Sequence, residues 1–213
     1  MGRIACMLNA DPASTTAAMR NNLNEYGSAR ASCGVAMLSR LLLLLAPGWA
    51  AAHPVDEVVQ GAYLTLAPGT VRLELDVTPG PAVAGAVLRS LDARPDRLIT
   101  DAEARAYAER VLAQSAILLD GVAAAWRLEK VSTPPYDALR LKADTLKIYA
   151  VAARPDQVGS HSLSYHNRYR PADSQCIANI FLQPGPGLRY RVTGQTHSDD
   201  GRVLTVSYTS ARP

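Results

Sequence analysis

Apolar and polar residues alternate along residues 71–77, and this period of two is typical of an antiparallel strand with one buried face. The apolar positions are Val71, Leu73, Leu75 and Val77, and the polar positions between them are Arg72, Glu74 and Asp76. Another apolar run, residues 58–66, precedes this strand, and the turn-forming residues 67–70 separate the two. The pattern therefore predicts a β-hairpin.

The period changes to that of a helix after Gly80. The apolar positions with helical spacing are Ala82, Val83, Ala86, Val87 and Leu91. A second helix is predicted to follow, because Thr100 and Glu103 have the T-x-x-E spacing of a capping box. We expect this second helix to end near Ser115. Its apolar face comprises Ala104, Tyr107, Ala108, Val111 and Leu112.

Six later runs have strand character, and turn residues rich in proline, glycine and aspartate separate them. They are residues 122–131, 139–152, 161–169, 176–183, 188–195 and 203–208. Short strands at this spacing predict an antiparallel β-sandwich of the immunoglobulin-like kind, mainly β with a small α insertion. We assign the domain to residues 53–213, with the helix–loop–helix inserted as residues 81–116 between the second and third strands.

The first 52 residues lack this pattern and are predicted to be a leader. Arg40 is followed by five leucines and then by the small residues 50–52, which together are typical of a secretory signal peptide cleaved near Ala52 and His53. The leucine run is short for a bilayer span, and a retained membrane anchor is the alternative. The pattern predicts export to the periplasm or the extracellular space.

Charge argues against a nucleic-acid partner. The whole chain has 22 Lys and Arg residues against 19 Asp and Glu residues, a net charge of +3. From His53 onward, 18 basic residues face 17 acidic ones, so the net charge falls to +1. A domain with this balance has no basic stripe for a phosphate backbone.

The sequence also lacks the motifs of common catalytic sites. It contains no G-x-S-x-G, H-E-x-x-H or C-x-x-C motif and no phosphate-cradling glycine loop, so we predict that the protein is not an enzyme. Cys176 is the one cysteine after the leader, and its apolar neighbours predict a buried structural thiol without a disulfide partner.

Residues 92–103 match the frame of a twelve-residue calcium-binding loop, which takes oxygen ligands at positions one, three, five, seven, nine and twelve. The candidate calcium ligands are Asp92, Asp96, the Leu98 backbone carbonyl, Thr100 and Glu103. Arg94 replaces the ligand at position three, and Arg97 replaces the glycine at position six. We therefore expect a degenerate loop with at most weak calcium affinity.

The two arginines also suggest a loop that needs no metal, in which they pair with Asp92 and Asp96. Arg97 is expected to adopt the left-handed backbone conformation normally given to glycine, at a cost of roughly 1 kcal/mol or more. Ile99, at the eighth position, is apolar as the frame requires, but the sequence contains no second loop with which it could pair.

His53 is the alternative metal ligand, for copper or nickel. A histidine at a mature N-terminus would offer its amine and its imidazole together, a chelate that suits these ions. Further ligands would have to come from Asp56, His161, His166 or His197. Because His161 and His166 are five residues apart on one predicted strand, they should face opposite sides and cannot share a metal.

Three motifs carry a resemblance to known proteins: AHPVDEVVQ at residues 52–60, SYHNRY at residues 164–169 and SQCIANIFLQPG at residues 174–185. With them, residues 52–209 resemble a family of bacterial secreted proteins that contain one EF-hand. The region is also similar to the extracytoplasmic part of hydrogenase- and urease-accessory nickel permeases. The resemblance implies an EF-hand and a link to metal transport, with a membrane permease or another envelope protein as partner.

The family loop reads closer to DADGDGRITDAE, and this chain departs from it at positions three, four and six, and also at seven. We therefore predict a secreted or periplasmic binding or interaction module with a degenerate EF-hand. The alternatives are an accessory domain that handles nickel or copper for a membrane permease, and a purely structural protein–protein module. Calcium binding predicts that Asp92, Asp96 and Glu103 converge around a cavity, whereas the nickel or copper alternative requires another ligand beside His53.

Overall fold

The computed structural model describes residues 56–212, so the predicted leader and His53 lie outside the described residues. The strands are β1 (Val58–Ala67), β2 (Thr70–Pro79), β3 (Ser115–Leu119), β4 (Val122–Ala124), β5 (Arg127–Ser132), β6 (Leu146–Ala153), β7 (Gly159–Asn167), β8 (Ser174–Leu182), β9 (Arg189–His197) and β10 (Val203–Ala211). The helices are α1 (Ala84–Leu91), α2 (Asp101–Leu112) and α3 (Tyr136–Leu141). None of these helices has the length and apolar character that a membrane crossing requires.

The first two strands form the predicted hairpin. β1 and β2 pair antiparallel, with Leu64 opposite Leu73 and Ala67 opposite Thr70 at the turn. In β2 the apolar positions that define the alternation are buried, and the polar positions between them keep some exposure. Burying one such side chain contributes about 1.5–3 kcal/mol, so a slip by one residue, which would expose the whole set, is strongly disfavoured.

The described strands form two sheets of five, which confirms the predicted β-sandwich. The first sheet has the order β5-β6-β2-β1-β8, and the second has the order β4-β3-β7-β10-β9. The pairings are antiparallel, except that β1 and β8 run parallel. Both sheets contribute to one apolar core, with Leu64 and Ile148 from the first and Leu163 and Leu204 from the second. α1 and α2 lie between β2 and β3, the place predicted for the insertion.

The predicted end of the second helix is wrong. The helix ends at Leu112, and Ser115, whose Oγ donates to the Val111 carbonyl (3.2 Å), begins β3 instead. Residues 115–119 are strand because they pair with β7, a long-range contact that local periodicity does not reveal. Asp120 and Gly121 connect β3 to β4, and their φ angles of 50° and 79° suit a two-residue hairpin turn.

Two further strand predictions are wrong in their limits. The run at residues 122–131 is divided at residues 125–126 into β4 and β5, which belong to different sheets. The run at residues 139–152 starts inside α3, a helix that begins directly after Pro135. The strand begins only at Leu146. The buried Leu139 fits a helical and a strand period equally well, so the apolar pattern alone favoured the wrong element.

A buried polar network ties the two sheets to α2. The Asn167 side chain donates to Gln60 Oε1 (2.8 Å) and accepts from the Tyr169 N–H (3.0 Å). Gln60 Nε2 and Arg202 Nη1 both donate to the Tyr169 carbonyl, at 3.1 Å and 3.3 Å. The Tyr169 hydroxyl lies 2.7 Å from the Tyr107 hydroxyl on α2. Residues of the SYHNRY and VVQ motifs therefore position the helix that follows the candidate calcium loop.

The end of β9 and the turn that follows it contact β8. His197 Nε2 lies 2.8 Å from the Ala178 carbonyl oxygen. Gly201 approaches the Cys176 carbonyl so closely that a Cβ at Gly201 would lie 1.9 Å from that oxygen. The Cys176 side chain is buried, as predicted, and forms no disulfide within residues 56–212; burial raises the pKa of its thiol.

Candidate functional site

The candidate calcium loop, residues 92–103, joins α1 to α2. Its first residue, Asp92, closes α1 by donating its N–H to the Leu88 carbonyl (2.8 Å). Asp92 is only 6% exposed, and its two carboxylate oxygens accept from the backbone N–H groups of Asp96 (3.3 Å) and Arg97 (2.9 Å). This carboxylate therefore organises the turn through hydrogen bonds within the chain.

Arg97 has the left-handed backbone conformation that its position predicts. Its φ is 64°, and its N–H donates to Asp92 Oδ2. A side chain in this conformation costs about 1–2 kcal/mol, because Cβ crowds the following carbonyl oxygen. The hydrogen bond to Asp92 helps to hold a backbone conformation that the residue itself disfavours.

Replacing Arg97 with glycine is expected to raise the free energy of unfolding by about 1 kcal/mol, because glycine adopts this φ without a Cβ penalty. Urea denaturation measures the change. The matched control is Arg105→Gly, which removes the same side chain from the interior of α2 and should lower stability by about 1 kcal/mol. Changes of the same sign in both variants would contradict this explanation of Arg97.

Arg94, at the third position, lies beside two of the loop carboxylates. Its Nε is 3.4 Å from Glu103 Oε1, and its Nη2 is 3.6 Å from Asp96 Oδ2. The loop is ion-paired, and only partly with the partners that the sequence suggested: Arg94 pairs with Asp96 as suggested, but its second partner is Glu103 and not Asp92. Asp92 accepts backbone amides instead of an arginine, and the Arg97 side chain has no carboxylate partner among residues 56–212.

Glu103, at the twelfth position, forms the predicted capping box with Thr100. The Thr100 N–H and hydroxyl donate to Glu103 Oε2 at 3.0 Å and 2.6 Å, and the Glu103 N–H donates to Thr100 Oγ1 at 3.4 Å. The hydrogen bonds from Thr100, with a smaller contribution from Arg94, lower the pKa of Glu103 from 4.5 to about 2. The carboxylate that would bind calcium through both of its oxygens thus caps the N-terminus of α2 and pairs with Arg94.

Glu103→Gln should weaken the acid sensitivity of the fold. A carboxyl whose pKa is lowered on folding contributes stability above its ordinary pKa of 4.5, and this contribution is lost as the pH falls toward about 2. Glutamine keeps a capping side chain but does not ionise in this range. The free energy of unfolding of the variant should therefore fall less steeply between pH 5 and pH 2, roughly the window that these pKa values span. Parallel curves for the variant and the wild type would contradict the prediction.

The remaining candidate ligands also make contacts within the chain. Asp96 Oδ1 accepts from the Leu98 N–H (2.9 Å), and Ile99 packs against the core. Within residues 56–212, no three His, Cys, Asp or Glu side chains lie together in a way that could hold a metal ion. Asp92, Asp96 and Glu103 are therefore linked by the loop backbone and Arg94, and they do not form a common carboxylate cluster.

The histidines within residues 56–212 make separate contacts. Both ring nitrogens of His161 face oxygen acceptors, Asp120 Oδ2 at 2.8 Å and the Gln157 carbonyl at 2.9 Å. His166 Nδ1 lies 3.3 Å from Arg168 Nε. The burial pattern of β7 places His161 and His166 on opposite faces, as predicted.

Two contacts that the sequence did not indicate position α2. Arg110, in its last turn, donates to the Ser90 carbonyl near the end of α1. Tyr107 packs its ring edge-on against Tyr169 in addition to the hydrogen bond between their hydroxyls. A basic residue in the last turn of a helix was the available signal, but its partner on another helix could not be read from spacing.

Comparisons with known proteins find no matching family model and no matching curated protein.

The residues of the loop themselves determine how well it fits a calcium ion. Calcium takes six to eight oxygen ligands, with carboxylates free to turn toward it. Here Asp92, Asp96 and Glu103 already accept hydrogen bonds, and Arg94 adds a positive charge at a ligand position. This donor set does not fit a tight calcium site.

Proposed function

We propose that the protein is an exported, non-catalytic binding module whose helix–loop–helix is held by contacts within the chain instead of by calcium. Calcium affinity is at most weak in this proposal. The predicted leader supports export, and the β-sandwich supplies a rigid scaffold of the kind that many interaction domains use. The absence of common catalytic motifs from the sequence supports a binding role.

The position of Arg94 is the observation that carries this proposal. Its guanidinium group is beside Asp96 and Glu103, the fifth and twelfth positions of the calcium frame. Unit charges about 4 Å apart near a protein surface interact by about 4 kcal/mol, so a bound calcium ion would be repelled unless Arg94 moved away. Arg94 is 59% exposed, so its ion pairs contribute only about 0–1 kcal/mol each and the side chain can be displaced.

These magnitudes favour weak binding over tight binding and over complete exclusion. Calorimetric titration of the purified protein with calcium should give a Kd no lower than about 1 mM, the weak end of natural calcium loops. The double variant Arg94→Asp/Arg97→Gly restores the ligand at position three and the glycine at position six. It should bind at least about tenfold more tightly.

Arg105→Asp is the control for this titration, because it makes the same charge change as Arg94→Asp, on α2 outside the residues that would contact the ion. Its calcium affinity should stay close to that of the wild type. Saturation of the wild-type protein at micromolar calcium would contradict the proposal. The proposal would also fail if the double variant bound no better than the Arg105→Asp control.

A further inference from the structure

A cleft of about 550 Å³ lies between α1, the candidate calcium loop and α3. Three arginines line it, one from each of these segments: Arg89, Arg97 and Arg140. Leu88 and Tyr136 supply apolar and aromatic surface beside them. The cleft thus combines three planar cations with an apolar wall, although Arg140 is far in sequence from the other two.

The three guanidinium groups of this arginine cleft have no carboxylate partner among residues 56–212. Asp92 is the one acidic residue in the lining, and its oxygens accept the N–H groups of Asp96 and Arg97. Three cations therefore face a single buried carboxylate that is already hydrogen-bonded. Like charges gathered in a concave site raise the local positive potential and attract a multivalent anion.

Helix chemistry accounts for only part of this arrangement. Arg89 and Arg140 are in the last turns of α1 and α3, where a positive charge interacts favourably with the helix dipole. Arg97 is in neither helix, and it keeps its place in the cleft at a backbone conformation that disfavours any side chain. A binding role would explain why an arginine stands at a position where glycine would be more stable.

We propose that the arginine cleft binds a phosphomonoester group. Arginine matches the oxygens of phosphate with paired N–H donors, and a phosphomonoester carries close to two negative charges at neutral pH. A ligand with one carboxylate group would bring only one negative charge to the three arginines. Tyr136 and Leu88 fit a small organic body attached to the phosphate. Arg94, the residue that carries the calcium proposal, does not line the cleft.

Two probes distinguish the sources of such a group. Phenyl phosphate represents a soluble ester, and phosphatidylcholine vesicles containing phosphatidic acid represent a lipid headgroup. Vesicles containing phosphatidylglycerol, a phosphodiester with a single charge, are the lipid control. Binding is followed by calorimetry for phenyl phosphate and by co-sedimentation for the vesicles.

We expect saturable binding of at least one phosphomonoester probe. Arg97→Gln and Arg140→Gln should each weaken it by about tenfold or more, because each removes charged hydrogen bonds to the phosphate. Arg105→Gln, which removes the same charge outside the cleft, should change the affinity by less than about twofold. Unfolding midpoints establish that the compared variants are folded.

Binding of phenyl phosphate assigns a soluble ester, and binding of phosphatidic acid vesicles alone assigns a lipid headgroup, provided that the two cleft variants lose it. The proposal is overturned if neither probe binds. It is also overturned if Arg105→Gln weakens binding as much as the cleft variants, or if phosphatidylglycerol vesicles bind as well as phosphatidic acid vesicles.

Discussion

Gly201→Ala is expected to lower the free energy of unfolding by about 3 kcal/mol or more, a loss large enough to threaten folding. Two effects act together at this position. The φ of Gly201 is 67°, and an added Cβ would lie 1.9 Å from the Cys176 carbonyl oxygen. That oxygen belongs to the backbone of β8, so the clash cannot be relieved by rotating a side chain.

Gly69→Ala is the matched control for this substitution. Gly69 has a similar φ of 70°, but nothing lies within 4 Å of a Cβ built there. The control should therefore cost only the backbone penalty, about 1–2 kcal/mol. Urea denaturation of both variants measures the difference. Equal losses would mean that the turn after β9 does not press against β8 as the structure describes.

Asn167→Ala is expected to cost about 3 kcal/mol of stability. Asn167 is 2% exposed and Gln60 is 1% exposed, so water does not replace the lost side chain. The substitution leaves Gln60 Oε1 and the Tyr169 N–H without their partner. Each buried polar group left unpaired costs about 1–3 kcal/mol.

A double-mutant cycle with Gln60→Ala tests the network itself. Because the two side chains share a hydrogen bond, their effects should deviate from additivity by about 1 kcal/mol. Asn179→Ala, at a half-buried position of β8, serves as the control and should change stability by less than about 0.5 kcal/mol. If Asn167→Ala is no more harmful than this control, the network does not hold the two sheets to α2.

The parts of the fold that depend on local order were predictable. The alternation in residues 71–77 indicated β2, and the spacing of Thr100 and Glu103 indicated the start of α2. β3 was not predictable, because residues 115–119 become strand through pairing with β7. α3 was missed for a different reason, since one buried leucine fits either period.

In the candidate site, too, the local backbone conformation was predictable and the contacts between distant side chains were not. Position in the calcium frame predicted the left-handed backbone of Arg97, since every residue at that point of the loop must make the turn. The sequence suggested Asp92 and Asp96 as partners of the two arginines, whereas Arg94 pairs with Asp96 and Glu103, because side-chain pairing depends on the path of the whole loop. Arg140 joins Arg97 only because α3 packs against α1, and no local pattern encodes that contact.

Hydrogen exchange of the loop amides, measured by NMR in a calcium chelator and then in millimolar calcium, tests the central claim most directly. The N–H groups of Arg97, Leu98 and Thr100 donate to carboxylates of the loop. If contacts within the chain hold the loop, these amides are protected in the chelator and calcium changes their exchange little. Unprotected exchange in the chelator, with protection appearing only on addition of calcium, would contradict this claim and make calcium the element that orders the loop.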